Sequence, residues 1–458
     1  MTAIKFSIGQ PSAISGFLNS LMKPVPVAPL VTFRIGFGLL MFASTIRFWL
    51  KGWIDEIYIN PKFHFTYWGF EWVHPMGTIG MHLVFLLLAL SALCIALGFL
   101  YRLATPIFFL SFSYVELIDV TTYLNHYYFV SLIAFLMIWL PANCAYSLDS
   151  RFQLTTRSNR VPAWTVAIIR FQIAVVYVFA GLAKLDPDWL RQAQPMRIWL
   201  PSKSHLPLVG PYLHKVWVAY LFSWFGAAYD LFIVIFLLIR KTRPVAYGFV
   251  IVFHLATAIF FPAIGIFPYV MIISSLIFFS GGTHEKLLSK ILFNPAPELN
   301  IVRNKYSTAL LYPCLAIYVT FQVLFPLRFL FYPDRLFWTE QGFRFSWRVM
   351  LMEKSGIAYF RIYDAYTHAN TEVNNAEFLT PLQEKMMSTQ PDLIVRYAHF
   401  LKKEFSKRGL KNPEVYAEIY VALNGRRSTL FVDSSINLAS QKLSLKPYSW
   451  ILPFKNQP

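Results

Sequence analysis

The sequence predicts a polytopic α-helical membrane bundle of about nine spans, amino terminus inside and carboxy terminus outside, followed by a β-rich extracytoplasmic domain with one amphipathic helix. Three observations carry this reading. Of 458 residues, 56% are hydrophobic and 14% charged, with mean hydropathy +0.48, well below the roughly one-quarter charged share of soluble domains. Apolar runs of roughly the 20 residues needed to cross a bilayer recur through residues 1–331. From 332 to 458 the composition turns mixed polar and aromatic, as in a folded soluble domain.

Spans are expected near 30–50, 79–100, 103–119, 125–142, 163–183, 216–239, 244–262, 264–281 and 307–331. The net charge of +18 would suggest nucleic acid in a soluble protein. In a membrane protein it reports topology instead, because basic residues collect in cytoplasmic loops. Arg102, then Arg151, Arg157 and Arg160, then Arg240, Lys241 and Arg243, then Lys286, Lys290, Arg303 and Lys305 fall in alternate connections. Together with Lys5 and Lys23 they place the amino terminus inside, and the loops at 51–78, 119–123, 184–215 and 262–265 outside with the tail. No removable signal peptide is read before Pro29, and the absence of an Asn-x-Ser/Thr sequon favours a bacterial inner membrane. In a eukaryote the outer side would be the lumen of the endoplasmic reticulum.

Cys94, Cys144 and Cys314 lie in or beside apolar runs without CxxC spacing, and the histidines show no metal-ligand spacing, so no metal is expected. Gly36-x-Gly38 lies inside a span and reads as a helix-packing feature. The aromatic cluster from Phe63 to Trp72 suits the headgroup level or a pocket cover. In the tail, 346–351, 357–363, 415–422 and 429–432 read as strands by alternation and β-branched content. In 391–408, Ile394, Tyr397, Leu401 and Phe405 recur at helical spacing and Gly409 stops the helix.

Ionisable groups inside spans are costly and mark pairing or function. Arg170, Tyr177 and Lys184 recur every seven residues, so they share one face of the fifth span. Arg170 and Asp230 are expected at similar depths on antiparallel spans, and an ion pair between them would lock the two helices. Lys184 ends its span and reads either as a snorkelling cation or as an amine held neutral in an apolar pocket and able to act as a base. His126 opens the fourth span beside Asn125. His254 lies mid-span, where a hydrogen-bonded packing role is the common one.

The segment Phe179-Ala180-Gly181-Leu182-Ala183-Lys184-Leu185-Asp186-Pro187-Asp188-Trp189 resembles the Ala-Gly-x-x-Lys-Leu-Asp-x-Asp-Trp signature of the vitamin K-dependent γ-glutamyl carboxylase family. Asn125-His126-Tyr127-Tyr128, Phe253-His254, and Phe337-Trp338-Thr339-Glu340 through Phe345-Ser346-Trp347 are similar to other family segments, and the similarity extends from about residue 30 to about 453. The resemblance implies a membrane enzyme of the peptidyl-glutamate 4-carboxylase class, a lyase that oxygenates reduced vitamin K to its 2,3-epoxide. That step would be coupled to carboxylation of glutamate in a peptide or protein.

Its cofactor would be the hydroquinone, an isoprenoid naphthoquinol drawn from membrane lipid, with O2 and CO2 as co-substrates and no metal; nucleic acid would not be a partner. Lys184 would deprotonate the quinol and His126 would assist at its oxygen, while His254 would belong to the same pocket; Asn125 and, by its place on the Lys184 face, Tyr177 join them as cofactor-binding candidates. Ala183 stands where the family has a second lysine, and no outer segment contains cysteine. Two alternatives remain open at this stage: a quinol epoxidase that does not carboxylate protein, and a non-catalytic quinone- or lipid-binding or transport protein.

Overall fold

Each of the nine apolar runs is helical in the computed structural model, which describes residues 13–291, 307–364 and 366–455; Lys5, Arg303 and Lys305 lie outside the described residues. The main helices are α1 (Ala28–Leu50), α2 (Gly77–Leu97), α3 (Tyr101–Ile118), α4 (Asn125–Trp139), α5 (Ala163–Ala183), the short α6 (Pro187–Gln192), α7 (Val216–Leu238), α8 (Arg243–Phe260), α9 (Phe267–Ser275), α10 (Gly281–Ile291) and α11 (Thr308–Leu324), with shorter helices that include Ala13–Leu21 before them. Among the described residues six helices are long and apolar enough to cross a membrane, or seven if the pair Phe267–Phe278 and Gly281–Lys290, bent by 116°, is one span. The others fall short for visible reasons. α3 carries Arg102 and Glu116 in its 18 residues, and α4 has only 15.

Close helix contact follows from small residues. A Cβ on Gly38 of α1 would lie 2.5 Å from the Ala96 backbone nitrogen of α2, and one on Gly36 would lie 2.5 Å from Ile273 of α9, so both glycines of the pair admit a neighbouring helix. α2 stops at Gly98, whose φ of 63° supplies the left-handed cap.

The loops expected outside meet at one end of the bundle and touch the carboxy-terminal part there. Gln383 donates to the Phe63 carbonyl and to Asp119, the Phe345 backbone N–H donates to Tyr123 Oη, and Arg426 binds Asp188. At the opposite end Asp149 accepts from the backbone N–H groups of Leu100 and Tyr101. A short antiparallel ribbon pairs Pro24–Pro26 with Arg160–Pro162.

The carboxy-terminal part is built on an antiparallel sheet ordered β2-β1-β3-β4, with β1 Lys354–Asp364, β2 Asn370–Glu372, β3 Pro413–Leu423 and β4 Thr429–Leu430. β1 and β3 pair over their full length, from Lys354 opposite Leu423 to Asp364 opposite Pro413. Val415, Ala417, Ile419 and Val421 alternate inward and are fully buried. α12 (Pro381–Met387) and α13 (Pro391–Lys407) complete it, and α13 buries Ile394, Tyr397, Leu401 and Phe405. Its core also takes in Phe65, Val120, Ala183, Trp189 and Val218 from the helix ends and their loops.

The expected strand at 346–351 is absent. Phe345, Trp347 and Met350 adopt φ of 59°, 59° and 53°, a left-handed conformation that breaks a pleated strand and costs bulky side chains energy. The segment is pinned in place by the Phe345 N–H bond to Tyr123, by a bond from Arg328 to Ser346 Oγ, and by Trp347 stacked on Tyr128 at 4.9 Å.

Candidate active site

The site begins with a glycine. A Cβ on Gly181 of α5 would sit 2.7 Å from the Leu231 backbone nitrogen of α7, so the Ala-Gly pair of the sequence segment lets these two helices approach at that level. One turn later Lys184 caps α5, its backbone N–H bonded to the Gly181 carbonyl. Its Nζ lies 2.6 Å from Asp230 Oδ2, with each side chain 8% exposed, and 3.5 Å from the Ala180 carbonyl oxygen. The Trp189 ring lies 5.4 Å from the ammonium position, and the indole N–H donates to the Ser223 carbonyl, fixing α6 against α7. Two opposite charges withdrawn from water compensate each other only in such close geometry.

This pair forms part of the wall of a cavity of ≈ 350 Å³. Tyr177 and His254 line it too, joined by a 3.0 Å hydrogen bond between Tyr177 Oη and His254 Nε2. Tyr229 Oη and Ser275 Oγ each lie 3.5 Å from the Tyr177 hydroxyl. Among the described residues His254 Nδ1 is buried without a hydrogen-bond partner. The remaining walls are mainly aliphatic and aromatic, and Val349 and Met350 of the left-handed segment contribute to them.

Lys184, Tyr177 and His254 therefore line one cavity, and Asp230 joins them there. The ion pair expected between Arg170 and Asp230 does not form. Arg170 donates instead to the carbonyls of Ile277, Phe278 and Phe279 where the α9 span breaks, satisfying carbonyls that a helix end leaves open. The expectation took the inner ends of α5 and α7 as level. With Gly181 against Leu231 they are staggered, and roughly twelve residues, about 18 Å of helix axis, separate Arg170 from the level of Asp230.

His126 does not line the cavity. Its ring lies 5.9 Å from that of Phe267, a cavity residue whose ring is in turn 5.6 Å from His254, and its Nε2 is buried without a partner among the described residues. Asn125 also stands outside the cavity; its amide donates to the Arg348 carbonyl and its oxygen accepts from Tyr123, steadying the segment that supplies Val349 and Met350. Among the described residues no group of three or more His, Cys, Asp or Glu could hold a metal ion.

Sequence reasoning missed the role of Asp188. Arg426 reaches it in a two-pronged contact at 2.7 and 2.8 Å, Asn424 donates to it at 2.8 Å, and Arg335 lies 2.5 Å away. Burial alone would raise this carboxyl, but the bonds from Arg426, Arg335 and Asn424 outweigh it and hold Asp188 well below the usual carboxylate range. Asn424 and Gly425 have φ of 51° and 78° in the tight turn between β3 and β4, where Asn-Gly is the preferred pair. The Asn-Gly dipeptide was the available signal for this latch.

Two family models match the chain: the HTTM domain over residues 22–282 and the lumenal domain of vitamin K-dependent gamma-carboxylase over residues 307–457. No solved structure matches it.

Proposed function

Because the chain belongs to the vitamin K-dependent gamma-carboxylase family, we propose that it binds reduced vitamin K in the Lys184 cavity, oxygenates it to the 2,3-epoxide and couples this step to carboxylation of glutamate in a peptide or protein. The observation that supports this reading is the Lys184–Asp230 pair, buried at 2.6 Å in the wall of a largely apolar cavity. Bound there with dioxygen, reduced vitamin K supplies the base that removes a γ-proton from glutamate, to which carbon dioxide adds.

The residues of the chain handle protons and exclude water. Lys184 takes a quinol proton as a neutral amine, since an ammonium cannot accept one. Asp230 makes that form accessible, because passing one proton from Lys184 to Asp230 replaces two buried charges with two neutral groups in a site withdrawn from water. Tyr177 and His254 hold the second quinol oxygen through their linked hydroxyl and imidazole. His126 assists at the quinol once the Phe267 ring turns aside. The apolar walls keep out water that would quench a strong base. The Lys184 end of the bundle faces the extracytoplasmic side of a bacterial inner membrane in this reading, with the basic loops at the other end.

The test is turnover by purified protein in lipid nanodiscs given vitamin K hydroquinone and oxygen, followed by chromatography of the epoxide. Lys184→Ala is expected to lose about 10²- to 10⁴-fold in rate, the usual worth of a positioned base; equal turnover would sink the assignment. A glutamate peptide with labelled bicarbonate tests the second half, and epoxide without label would leave an epoxidase.

A further inference from the structure

At the end of α1 that joins the loop of 51–78, two cations stand on the outside of the bundle. Arg47 lies in the last turn of the helix and Lys51 caps it four residues later, and both are exposed. Residues four apart follow one edge of a helix, so Ala43, Arg47 and Lys51 form one row beside a second row of Phe42, Ile46 and Leu50. These six residues line a groove of ≈ 470 Å³. Its length is apolar and its charged end lies at the helix terminus.

An arginine this near the end of a span carries its guanidinium out to the headgroup level, and the carbonyl end of the helix favours positive charge there. That accounts for the sign of the charge but not for the apolar groove leading away from it. Nor is the charge neutralised within the chain. The nearest acidic residues in sequence are Asp55 and Glu56. Asp55 turns to His82 at 3.5 Å, and among the described residues neither Arg47 nor Lys51 has an ion-pair partner. Arg47 is held by an aromatic ring instead: its Cζ lies 5.2 Å from the centre of Trp53, which packs edge-on against Phe48 at 5.3 Å. A guanidinium steadied on its face by an indole keeps its N–H edge for an oxyanion.

We propose that this groove is a binding site for an anionic phospholipid, its phosphate held between Arg47 and Lys51 and one acyl chain laid along Phe42, Ala43, Ile46 and Leu50. Charge selects the ligand, because a zwitterionic lipid brings a cation of its own to the same place and gains less. The site stands apart from the quinol reading, since no residue of the groove lines the Lys184 cavity.

The experiment is photo-crosslinking of the full chain in phosphatidylcholine nanodiscs, using phosphatidylglycerol with a photoreactive group in its acyl chain and mapping the labelled residues by peptide mass spectrometry. Label is expected to concentrate on 42–50 and to exceed that from the matching phosphatidylcholine probe. Arg47→Gln with Lys51→Gln is expected to cut it about thirtyfold, the usual worth of two basic residues beside anionic lipid. Arg240→Gln with Lys241→Gln removes the same charge from the α7–α8 connection at the other end of the bundle and is expected to leave the α1 label unchanged.

Equal labelling by the two lipids, or a label that survives the loss of both cations, would overturn the site and leave ordinary solvating lipid. A label cut as deeply by the Arg240 and Lys241 changes would do the same, since net charge alone would then explain it. Excess inorganic phosphate, set against chloride of equal ionic strength, is expected to change nothing; loss of the label to phosphate alone would assign the two cations to a free oxyanion and overturn the lipid.

Discussion

Lys184 at the end of α5 and Asp230 on α7 share a 2.6 Å contact with both side chains buried. Asp230→Ala strands an uncompensated ammonium and is expected to lower stability by about 3–5 kcal/mol. The double variant Lys184→Met, Asp230→Leu removes both charges and is expected to recover most of that loss while staying inactive. Apparent Tm in nanodiscs beside epoxide turnover checks both halves. A double variant no more stable than Asp230→Ala would show that the two residues are not energetically paired.

Gly181 sets how closely α5 approaches α7. The Cβ of Gly181→Ala would meet backbone rather than a movable side chain, at 2.7 Å, so the helices must separate at the level of the pair. The expected cost is about 1–3 kcal/mol, with a larger proportional loss of epoxidation than of folded protein. Gly248→Ala, where a Cβ meets nothing within 4 Å, is the matched control and is expected to change neither.

Acid should loosen the junction between bundle and tail. Asp188 titrates below its unfolded range, so the latch contributes its full stability above the unfolded value near 3.9 and loses it as the pH falls from there toward the lower folded value. Asp188→Asn is expected to reduce stability by about 1–3 kcal/mol near neutral pH and to flatten the fall in apparent Tm between about pH 5 and pH 3. A variant whose Tm falls as steeply as wild type over that window would remove Asp188 from the account of acid sensitivity.

Tyr177→Phe takes away the hydroxyl that bonds His254 Nε2. The histidine is left buried without that partner, at a cost of about 1–3 kcal/mol. Quinone affinity should weaken and kcat for epoxide should fall, while Tyr229→Phe, on the far side of the same hydroxyl, should do less. Binding and rate constants for the two single variants, compared side by side, decide this.

Much of this arrangement was legible in sequence. Each of the nine runs that hydropathy picked out is helical, though six or seven are long and apolar enough to cross a membrane among the described residues, and heptad spacing placed Tyr177 and Lys184 on one face, where they line the same cavity. Alternation in 415–422 and the amphipathic stripe of 391–408 each named an element of the tail, found at Pro413–Leu423 and Pro391–Lys407. The failures were long-range. Pairing Asp230 required the stagger between two helices, which only the Gly181 contact reveals. The segment 346–351 alternates like a strand, yet its shape is dictated by partners distant in the chain, Tyr123, Tyr128 and Asn125. His126 sits next to Tyr127 in sequence, but its separation from the cavity depends on Phe267, a residue of α9.

The bond between Asp188 and the Asn424–Arg426 turn lies four residues beyond Lys184. Membrane helices tilt as bilayer thickness changes, and a side chain fixed only to lipid-embedded walls would shift with every such change. Here the end of α5 is tied, through Asp188 of α6, to the turn between β3 and β4 of the carboxy-terminal sheet. The geometry around Lys184 is thereby expected to be insulated from such changes, and reconstitution into thinner or thicker lipid should alter access to the cavity more than the arrangement within it.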